Sequence, residues 1–274
     1  MNLKISIIQT ELHWENAASN LAMFTQKIAS INETTDVIVL PEMFTTGFSM
    51  NSEKLAETME SKTIAWMKEQ AKNKNAAIVG SLIIKDQIIS PSGRPREAFF
   101  NRLLWVFPDG EIKHYDKRHL FRMAGENNYF SPGKTRLIVE FKGWKICPMI
   151  CYDLRFPAWS RNIHFGKKTN EPVFDCLIYV ANWPQPRVSH WEKLLEARAI
   201  ENQCYVVGVN RIGKDANNIP YSGSSAVINP KGEKLSTTQP HQENIETITL
   251  SFEEMKHYRE KFPAIQDADS ISFE

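Results

Sequence analysis

Three residues that could carry out covalent chemistry each follow a short apolar run of the sequence. Glu42 comes just after residues 36–40, Lys117 follows the second of two runs joined by a turn, and Cys151 ends the run 144–150. A side chain at the carboxyl end of a strand in an α/β sheet faces the crevice where ligands usually bind. The three residues are therefore candidates for a single site.

These residue types together suit acyl transfer. A thiol attacks as its thiolate, and a neighbouring cation lowers the thiol pKa. The Glu42 carboxylate could accept the proton of Cys151, and the Lys117 ammonium could stabilise the thiolate and the oxyanion of a tetrahedral intermediate. The backbone N–H of Tyr152 could also donate to that oxyanion. The three residues together predict an enzyme whose thiol attacks an amide or a nitrile and that needs neither a metal nor a cofactor.

Each of these residues also has a purely structural interpretation. Free cysteine is among the most buried residue types, so Cys151 could belong to the core. Glu42 could be a surface or capping carboxylate, and residues 116–119 could form a solvated charged turn. A Cys-His thiol enzyme also stays open, with His119 or His190 as the base, because histidine is the commonest general base.

The charge balance and the hydropathy narrow the classes of function. The 274 residues include 33 Lys and Arg and 32 Asp and Glu, so the formal net charge is +1. Binding to nucleic acid requires a basic excess or a basic stripe, and neither is present. The sequence contains no run of about 18 apolar residues, the length needed to span a membrane. The N-terminus is too polar and too short for a signal peptide. We expect a cytoplasmic protein that binds neither nucleic acid nor membrane.

The four cysteines are expected to be free thiols. Residues four apart on one strand are separated by about 13 Å, whereas a disulfide needs Cα atoms roughly 4.4–6.8 Å apart. Cys147 and Cys151 are related in this way, and no C-x-x-C pair indicates zinc or thioredoxin-like chemistry. The sequence therefore predicts no disulfide and no metal site.

Strand patterns and helix patterns are mixed along the whole chain. The predicted strands are 3–7, 36–40, 76–84, 99–107, 111–115, 137–141, 144–150, 174–181, 205–209, 224–229, 234–236 and 245–250. The predicted helices are one capped by Asn16 and carrying apolar residues as far as Ile31, then 61–72, 188–202 and 252–261, with a loop at 90–95. This mixture predicts one α/β domain over residues 1–274, in which hairpins add antiparallel strands.

Three segments around the candidate residues resemble the signature segments of the nitrilase (carbon–nitrogen hydrolase) superfamily. They are VLPEMF at 39–44, YDKRHLF at 115–121 and CYDLRFP at 151–157, in the order typical of that superfamily. The resemblance continues through 179–184, 197–203 and 221–225 and covers nearly the whole chain. It implies a four-layer α-β-β-α sandwich, usually a homodimer formed through the helical faces.

The same resemblance implies a role for each candidate residue. Glu42 is expected to be the general base, Lys117 the cationic stabiliser and Cys151 the nucleophile. A second carboxylate is expected in the loop before a Ser-Pro-Gly turn, and Glu126 precedes the turn 131–133 at the spacing typical of the family. We therefore assign this fourth role to Glu126.

Within the superfamily, the chain most resembles the bacterial omega-amidases, which hydrolyse 2-oxoglutaramate. The segments that carry this resemblance are 42–48, 119–123 and 258–264. It implies a small-molecule substrate, a 2-oxo dicarboxylic acid monoamide such as 2-oxoglutaramate or 2-oxosuccinamate. Its terminal amide would be hydrolysed through a thioester acyl-enzyme, with no cofactor.

Such a substrate carries a carboxylate away from the reacting amide, and a cation should bind it. Arg155 is our candidate because arginine binds a carboxylate in bidentate geometry; the alternative is a structural ion pair with Asp153 or Glu126. Phe44 and Trp183, together with Tyr152, are candidates to line the substrate pocket. For Phe44 and Trp183, burial in the core is the alternative.

Two other functions stay open at this point. One is a nitrilase, or another small-amide hydrolase of the same superfamily. The other is a binding module that keeps the fold without catalysis. The presence of all four catalytic candidates favours an enzyme, since a module without catalysis would not need them.

Overall fold

The computed structural model describes residues 1–89, 93–166 and 171–273. The strands are β1 (Asn2–Gln9), β2 (Val37–Val39), β3 (Ala77–Ile89), β4 (Pro95–Val106), β5 (Ile112–Asp116), β6 (Val139–Phe141), β7 (Trp144–Ile150), β8 (Cys176–Ala181), β9 (Tyr205–Asn210), β10 (Ile212–Lys214), β11 (Pro220–Ser222), β12 (Ala226–Ile228) and β13 (Asn244–Ser251). The helices are α1 (Ala17–Ala29), α2 (Ser52–Leu55), α3 (Lys62–Lys74), α4 (Val188–Asn202) and α5 (Phe252–Lys261). The loop predicted at 90–95 begins with three residues that lie outside the described part of the chain.

Two sheets form the inner layers of the molecule. The first has the strand order β13-β1-β2-β3-β4-β5 and the second the order β12-β9-β8-β7-β6, while β10 and β11 form a separate ribbon. Strands β1 to β3 are parallel in the first sheet, as are β7 to β9 in the second. The other pairings are antiparallel, and they include the hairpins β4–β5 and β6–β7. Each sheet therefore has a parallel centre with antiparallel strands at its edges.

One hydrophobic cluster joins the two sheets. Ile5, Val37 and Trp105 from the first sheet belong to the same buried cluster as Ile146 and Ile178 from the second. All five side chains are fully buried. Burial of apolar surface between the sheets therefore holds the two parallel centres against each other.

Helices cover the outer face of each sheet. Phe24 on α1 and Met67 on α3 pack against Ile38 and Ile78 of the first sheet. On the second sheet, α4 lies so close to β9 that a Cβ at Gly208 would be within 2.8 Å of Trp191 and Leu195 side-chain atoms. The predicted four-layer α-β-β-α sandwich is confirmed. No helix in the described residues is long and apolar enough to cross a membrane.

Most predicted elements are present, with differences at their ends. The Asn16 side chain accepts the backbone N–H of Ser19 and caps α1, and α4 has the predicted limits. The strand expected at 224–229 is reduced to β12, because Ser225 uses its backbone N–H and its hydroxyl for bonds to Gln9 and Asn210. The segment 234–236 makes only an isolated bridge to β12 and is not a strand.

We expect Ile178→Ala to lower the free energy of unfolding by about 2–5 kcal/mol, because it leaves a cavity in the cluster that joins the sheets. The matched control is Ile89→Ala, where the side chain is 70% exposed at the end of β3, and its effect should stay within about 0.5 kcal/mol. Urea unfolding followed by circular dichroism measures both. Equal losses for the two variants would contradict this account of the core.

Candidate active site

The structure places a buried ammonium group between two carboxylates. Lys117, directly after β5, donates from Nζ to Glu42 Oε1 at 2.8 Å and to both carboxylate oxygens of Glu126 at 3.0 Å. The three side chains are completely inaccessible to solvent. Glu126 lies in a short 3-10 turn and also accepts the backbone N–H of Phe121 at 2.5 Å. The loop between β5 and β6 therefore carries both the ammonium and one of its carboxylates.

Two asparagines hold these carboxylates in place, and sequence reasoning missed both. Asn101 on β4 donates from Nδ2 to Glu42 Oε1 at 2.8 Å and to Glu126 Oε1 at 3.3 Å. Asn182, directly after β8, donates its backbone N–H to Glu42 Oε2 at 2.8 Å and its Nδ2 to the Glu42 carbonyl at 2.6 Å. Asn182 lies in the segment 179–184, which could have indicated it. Asn101 gives no such signal, because its role depends on which face of β4 meets the site.

Cys151 lies at a sharp turn where β7 ends. Its φ of 43° is in the left-handed region, which is unusual for a non-glycine residue and costs free energy unless the surroundings hold it. The buried carboxylate of Asp153 provides that support. It accepts the backbone N–H of Ile150 at 3.1 Å, the hydroxyl of Tyr115 at 2.8 Å and the backbone N–H of His119 at 3.0 Å. The turn that carries the thiol is thereby attached to the strand end that carries Lys117.

The two histidines that a Cys-His enzyme would need are bonded elsewhere. His119 Nδ1 is 2.8 Å from Asp153, and its ring stacks on Phe156 with centroids 3.7 Å apart. His190 Nδ1 is 3.2 Å from Arg155 Nη2. The Glu42 carboxylate, in contrast, lies near enough to the Cys151 thiol to raise its pKa. The geometry therefore favours Glu42, and not a histidine, as the base.

Charge interactions set the protonation states of this cluster. Burial alone would lower the pKa of Lys117, but the charges of Glu126 and Glu42 outweigh it and raise that pKa, so the ammonium keeps its proton. Burial raises the pKa of Glu126, and Lys117 offsets part of that rise. Burial also raises the pKa of the Cys151 thiol well above its usual value, and the adjacent Glu42 carboxylate raises it further. The resting thiol is therefore protonated, and attack requires that the base take its proton.

A cavity of about 680 Å³ opens onto the thiol. Its lining includes Lys117, Cys151 and Asn182 at the reacting end, with Phe48, Phe121 and Trp183 as aromatic walls. Such a volume and such a mainly apolar wall suit a small organic molecule. Among the described residues, no group of three or more His, Cys, Asp or Glu side chains is arranged to hold a metal ion.

Comparison with known proteins agrees with this arrangement. The family model described as carbon-nitrogen hydrolase matches residues 4–260. The chain belongs to the carbon-nitrogen hydrolase family. It is 46% identical to the omega-amidase YafV of Escherichia coli (strain K12) over 269 residues, covering 98% of each chain. It is 33% identical to a 2-oxoglutaramate amidase of Bacillus subtilis (strain 168), covering 97% of this chain and 98% of that protein.

A solved structure also resembles this carbon-nitrogen hydrolase over its full length. The CN-hydrolase superfamily protein XC1258 from Xanthomonas campestris, which has an arsenic adduct in its active site, is 40% identical and superposes with a TM-score of 0.91, covering all of both chains. The family membership establishes that this chain is a hydrolase of carbon–nitrogen bonds other than peptide bonds.

Three of the four residues predicted to contact substrate line the cavity of this carbon-nitrogen hydrolase. They are Tyr152, Arg155 and Trp183. Arg155 forms neither of the ion pairs that were its alternative interpretation, since the Asp153 and Glu126 carboxylates are occupied by other partners. Its guanidinium lies over the Trp183 ring, 4.6 Å from the centroid. Arg155 is therefore available to a ligand in the cavity.

The prediction that Phe44 lines the pocket is wrong. Phe44 is fully buried on the opposite side of the first sheet, among the residues under α1 and α3. Its ring meets Phe24 edge-on at 5.6 Å and lies 5.9 Å from Trp66. The chain turns after Glu42, so residues two apart face different layers. Phe48, four residues later, takes the place at the site and lies over Lys117 at 5.1 Å.

We expect alkylation of Cys151 by iodoacetamide to accelerate about tenfold per pH unit from pH 6 to pH 8.5, without a plateau. The thiol pKa is raised, so the thiolate fraction keeps increasing across this range. Mass spectrometry of the labelled protein measures the rate, and Cys151→Ala subtracts any reaction of the three other cysteines, which are fully buried. A plateau below pH 7.5 would show that the thiolate is already formed at rest.

We expect Asp153→Asn to lower kcat/KM for an amide substrate by about 10–100-fold, because the turn that holds Cys151 loses charged acceptors. The matched control is Asp175→Asn, which weakens bonds to the Lys145 N–H and to Arg259 away from the site. Both variants should lose about 1–3 kcal/mol of unfolding free energy. An unchanged kcat/KM in Asp153→Asn, or an equal loss in the control, would contradict the role given to Asp153.

Proposed function

We propose that this enzyme releases ammonia from the terminal amide of a small 2-oxo dicarboxylic acid monoamide, such as 2-oxoglutaramate or 2-oxosuccinamate. The observation that carries the proposal is the cluster at one end of the cavity, where Cys151 and Lys117 both line the cavity and the Lys117 ammonium is shared by Glu42 and Glu126. The names of the relatives, omega-amidase and 2-oxoglutaramate amidase, support the substrate class.

In the first half of the reaction, Glu42 accepts the proton of Cys151 as the sulfur attacks the amide carbon. The oxyanion that forms accepts hydrogen bonds from Lys117 and from the Tyr152 backbone N–H. The carbon–nitrogen bond then breaks, protonated Glu42 gives its proton to the leaving nitrogen, and ammonia departs. The acyl group remains on sulfur as a thioester.

In the second half, a water molecule replaces ammonia. Glu42 takes one of its protons as the oxygen attacks the thioester carbon, and the carbon–sulfur bond breaks. The proton returns from Glu42 to sulfur, and the product leaves as a carboxylic acid. Glu126 keeps Lys117 in place throughout and orients the bound amide. Because Lys117 holds its proton, it contributes its charge and a hydrogen bond to the oxyanion and transfers no proton.

The homodimer and the cytoplasmic location stay predictions. We propose that the dimer forms through helical faces, as the family resemblance implies, and that the helical layer on the second sheet is the face used. Two exposed apolar side chains on this layer support the proposal: Ile200 on α4 is 52% exposed, and Phe262 after α5 is 57% exposed.

We expect wild-type enzyme to release ammonia from 2-oxoglutaramate, and Cys151→Ala to lower that rate at least about 10³-fold because the nucleophile is lost. Cys147→Ala removes a fully buried thiol on the same strand and is the matched control, which should keep its turnover. A coupled ammonia assay measures all three proteins beside glutamine, asparagine and a simple nitrile.

The other outcomes of this assay separate the alternatives. Turnover retained by Cys151→Ala would overturn the mechanism. Cys151-dependent hydrolysis of the nitrile, or of another amide, with none of 2-oxoglutaramate, would keep the mechanism and replace the substrate. A folded wild-type protein that hydrolyses none of them would overturn the proposed substrate class and indicate a narrower substrate outside this set.

A further inference from the structure

A second arginine, Arg187, lines the cavity beside Arg155. Arg155 belongs to the 3-10 turn that begins with Cys151, whereas Arg187 ends the turn that leads into α4. Nothing in the sequence singled out Arg187, because it is distant from every signature segment. The fold alone brings the two guanidinium groups to one wall of the cavity.

One tryptophan organises both arginines, which we call the arginine pair. The Trp183 ring lies under the Arg155 guanidinium, and the Trp183 indole N–H donates to the Arg187 carbonyl at 2.7 Å. Trp183 is itself fixed, because its backbone N–H donates to Asn210 Oδ1 at 2.8 Å and its carbonyl accepts Asn210 Nδ2 at 3.0 Å. The Arg187 guanidinium lies over the Phe121 ring at 5.4 Å. Aromatic faces therefore support both cations. One nitrogen of Arg155, Nη2, also contacts His190 Nδ1 at 3.2 Å, and this neutral contact leaves the positive charge of Arg155 without a carboxylate.

No carboxylate of the described residues forms an ion pair with either member of the arginine pair. Among the described residues that line the cavity, one carries a carboxylate, Asp215. That group is occupied, since it accepts the backbone N–H groups of Asn217 and Ile219 and the hydroxyl of Tyr221. The arginine pair is thus a local excess of positive charge in the cavity that also contains the reacting thiol.

The positive charges of the arginine pair repel each other. Burial lowers the pKa of Arg155, and repulsion from Arg187 lowers it further. Lys117 adds no comparable excess, because Glu42 and Glu126 neutralise it. An anion bound between the two guanidinium groups would remove the repulsion and would use the planar N–H edges that suit a carboxylate.

We propose that Arg187, acting with Arg155, binds the carboxylate of the substrate and makes the enzyme select amides that carry an acid group at the far end of a short chain. The inference rests on the proposed function for the reaction at Cys151. It adds the residue that determines specificity. The mainly apolar wall between the thiol and the arginine pair would accommodate the carbon chain that joins the amide to the acid.

The first test compares two amides of equal chain length, 2-oxoglutaramate and the neutral pentanamide. We expect Arg187→Met to lower the ratio of their kcat/KM values by about 10–100-fold, mainly through KM for the acid amide, because a charge-assisted contact is lost. Arg187→Lys should recover part of the ratio, since it keeps the charge but not the bidentate geometry. Arg96→Met is the matched control, because Arg96 is exposed on β4 away from the cavity, and its ratio should equal that of wild type.

The second test needs no amide turnover. Iodoacetate and iodoacetamide both alkylate Cys151, and only the first carries a carboxylate. We expect Arg187→Met to lower the ratio of the iodoacetate rate to the iodoacetamide rate severalfold, with Arg96→Met unchanged. Labelling of Cys151→Ala gives the background rate.

The two tests together distinguish failure of this inference from failure of the proposed function. If wild-type enzyme does not hydrolyse 2-oxoglutaramate but the alkylation ratio falls in Arg187→Met, the substrate is wrong and the anion site stands. If wild type hydrolyses 2-oxoglutaramate but neither ratio changes in Arg187→Met, the inference is overturned. Equal losses on both members of each pair of compounds would show that Arg187 is structural, which also overturns it.

Discussion

The buried ammonium of Lys117, held between two carboxylates, is the interaction on which the rest of the site depends. A charge with no access to water is tolerated only where opposite charges and hydrogen bonds replace the lost solvation. Glu42 and Glu126 supply the charges. Asn101 donates to one oxygen of each carboxylate beside Lys117, and Asn182 donates to the Glu42 oxygen that Lys117 leaves free. Because the partners come from four separate segments, the ammonium also fixes how those segments meet. The same charge that stabilises the fold locally is thus in place to stabilise an oxyanion.

The nucleophile is placed by a different kind of constraint. Cys151 has an unfavourable backbone conformation, and a sharp turn of this kind projects the thiol out of the strand and into the cavity. Asp153 stabilises that conformation, because it accepts hydrogen bonds from the strand before the turn and from the segment that carries Lys117. The carboxylate that supports the turn at Cys151 therefore also contacts Tyr115 and His119, the residues two positions before and after Lys117.

The cavity has two chemically distinct ends. Proton transfer and bond cleavage belong to the end where Glu42 and Cys151 meet, and there the thiol stays neutral until its base acts. The other end carries positive charge that no carboxylate of the described residues pairs, set on the faces of Trp183 and Phe121. Under the proposed function, this separation would let the reacting end keep its charge balance while the arginine end selects among substrates.

The sequence by itself determined the fold class, most helix and strand positions and the reactive trio, because hydrophobic period and the residues at strand ends are local properties of the chain. It also indicated Glu126, through the resemblance to the carbon–nitrogen hydrolases. Only the tertiary structure decided which face of a strand or turn meets the site. It showed that Asn101 and Arg187, which carry no local signal, lie at the site. It also showed that Phe44 is buried between the first sheet and helices α1 and α3. The physical reason is that a side chain's partners depend on how two sheets and their loops pack, and contacts between residues distant in sequence leave no pattern in the segment that contributes them.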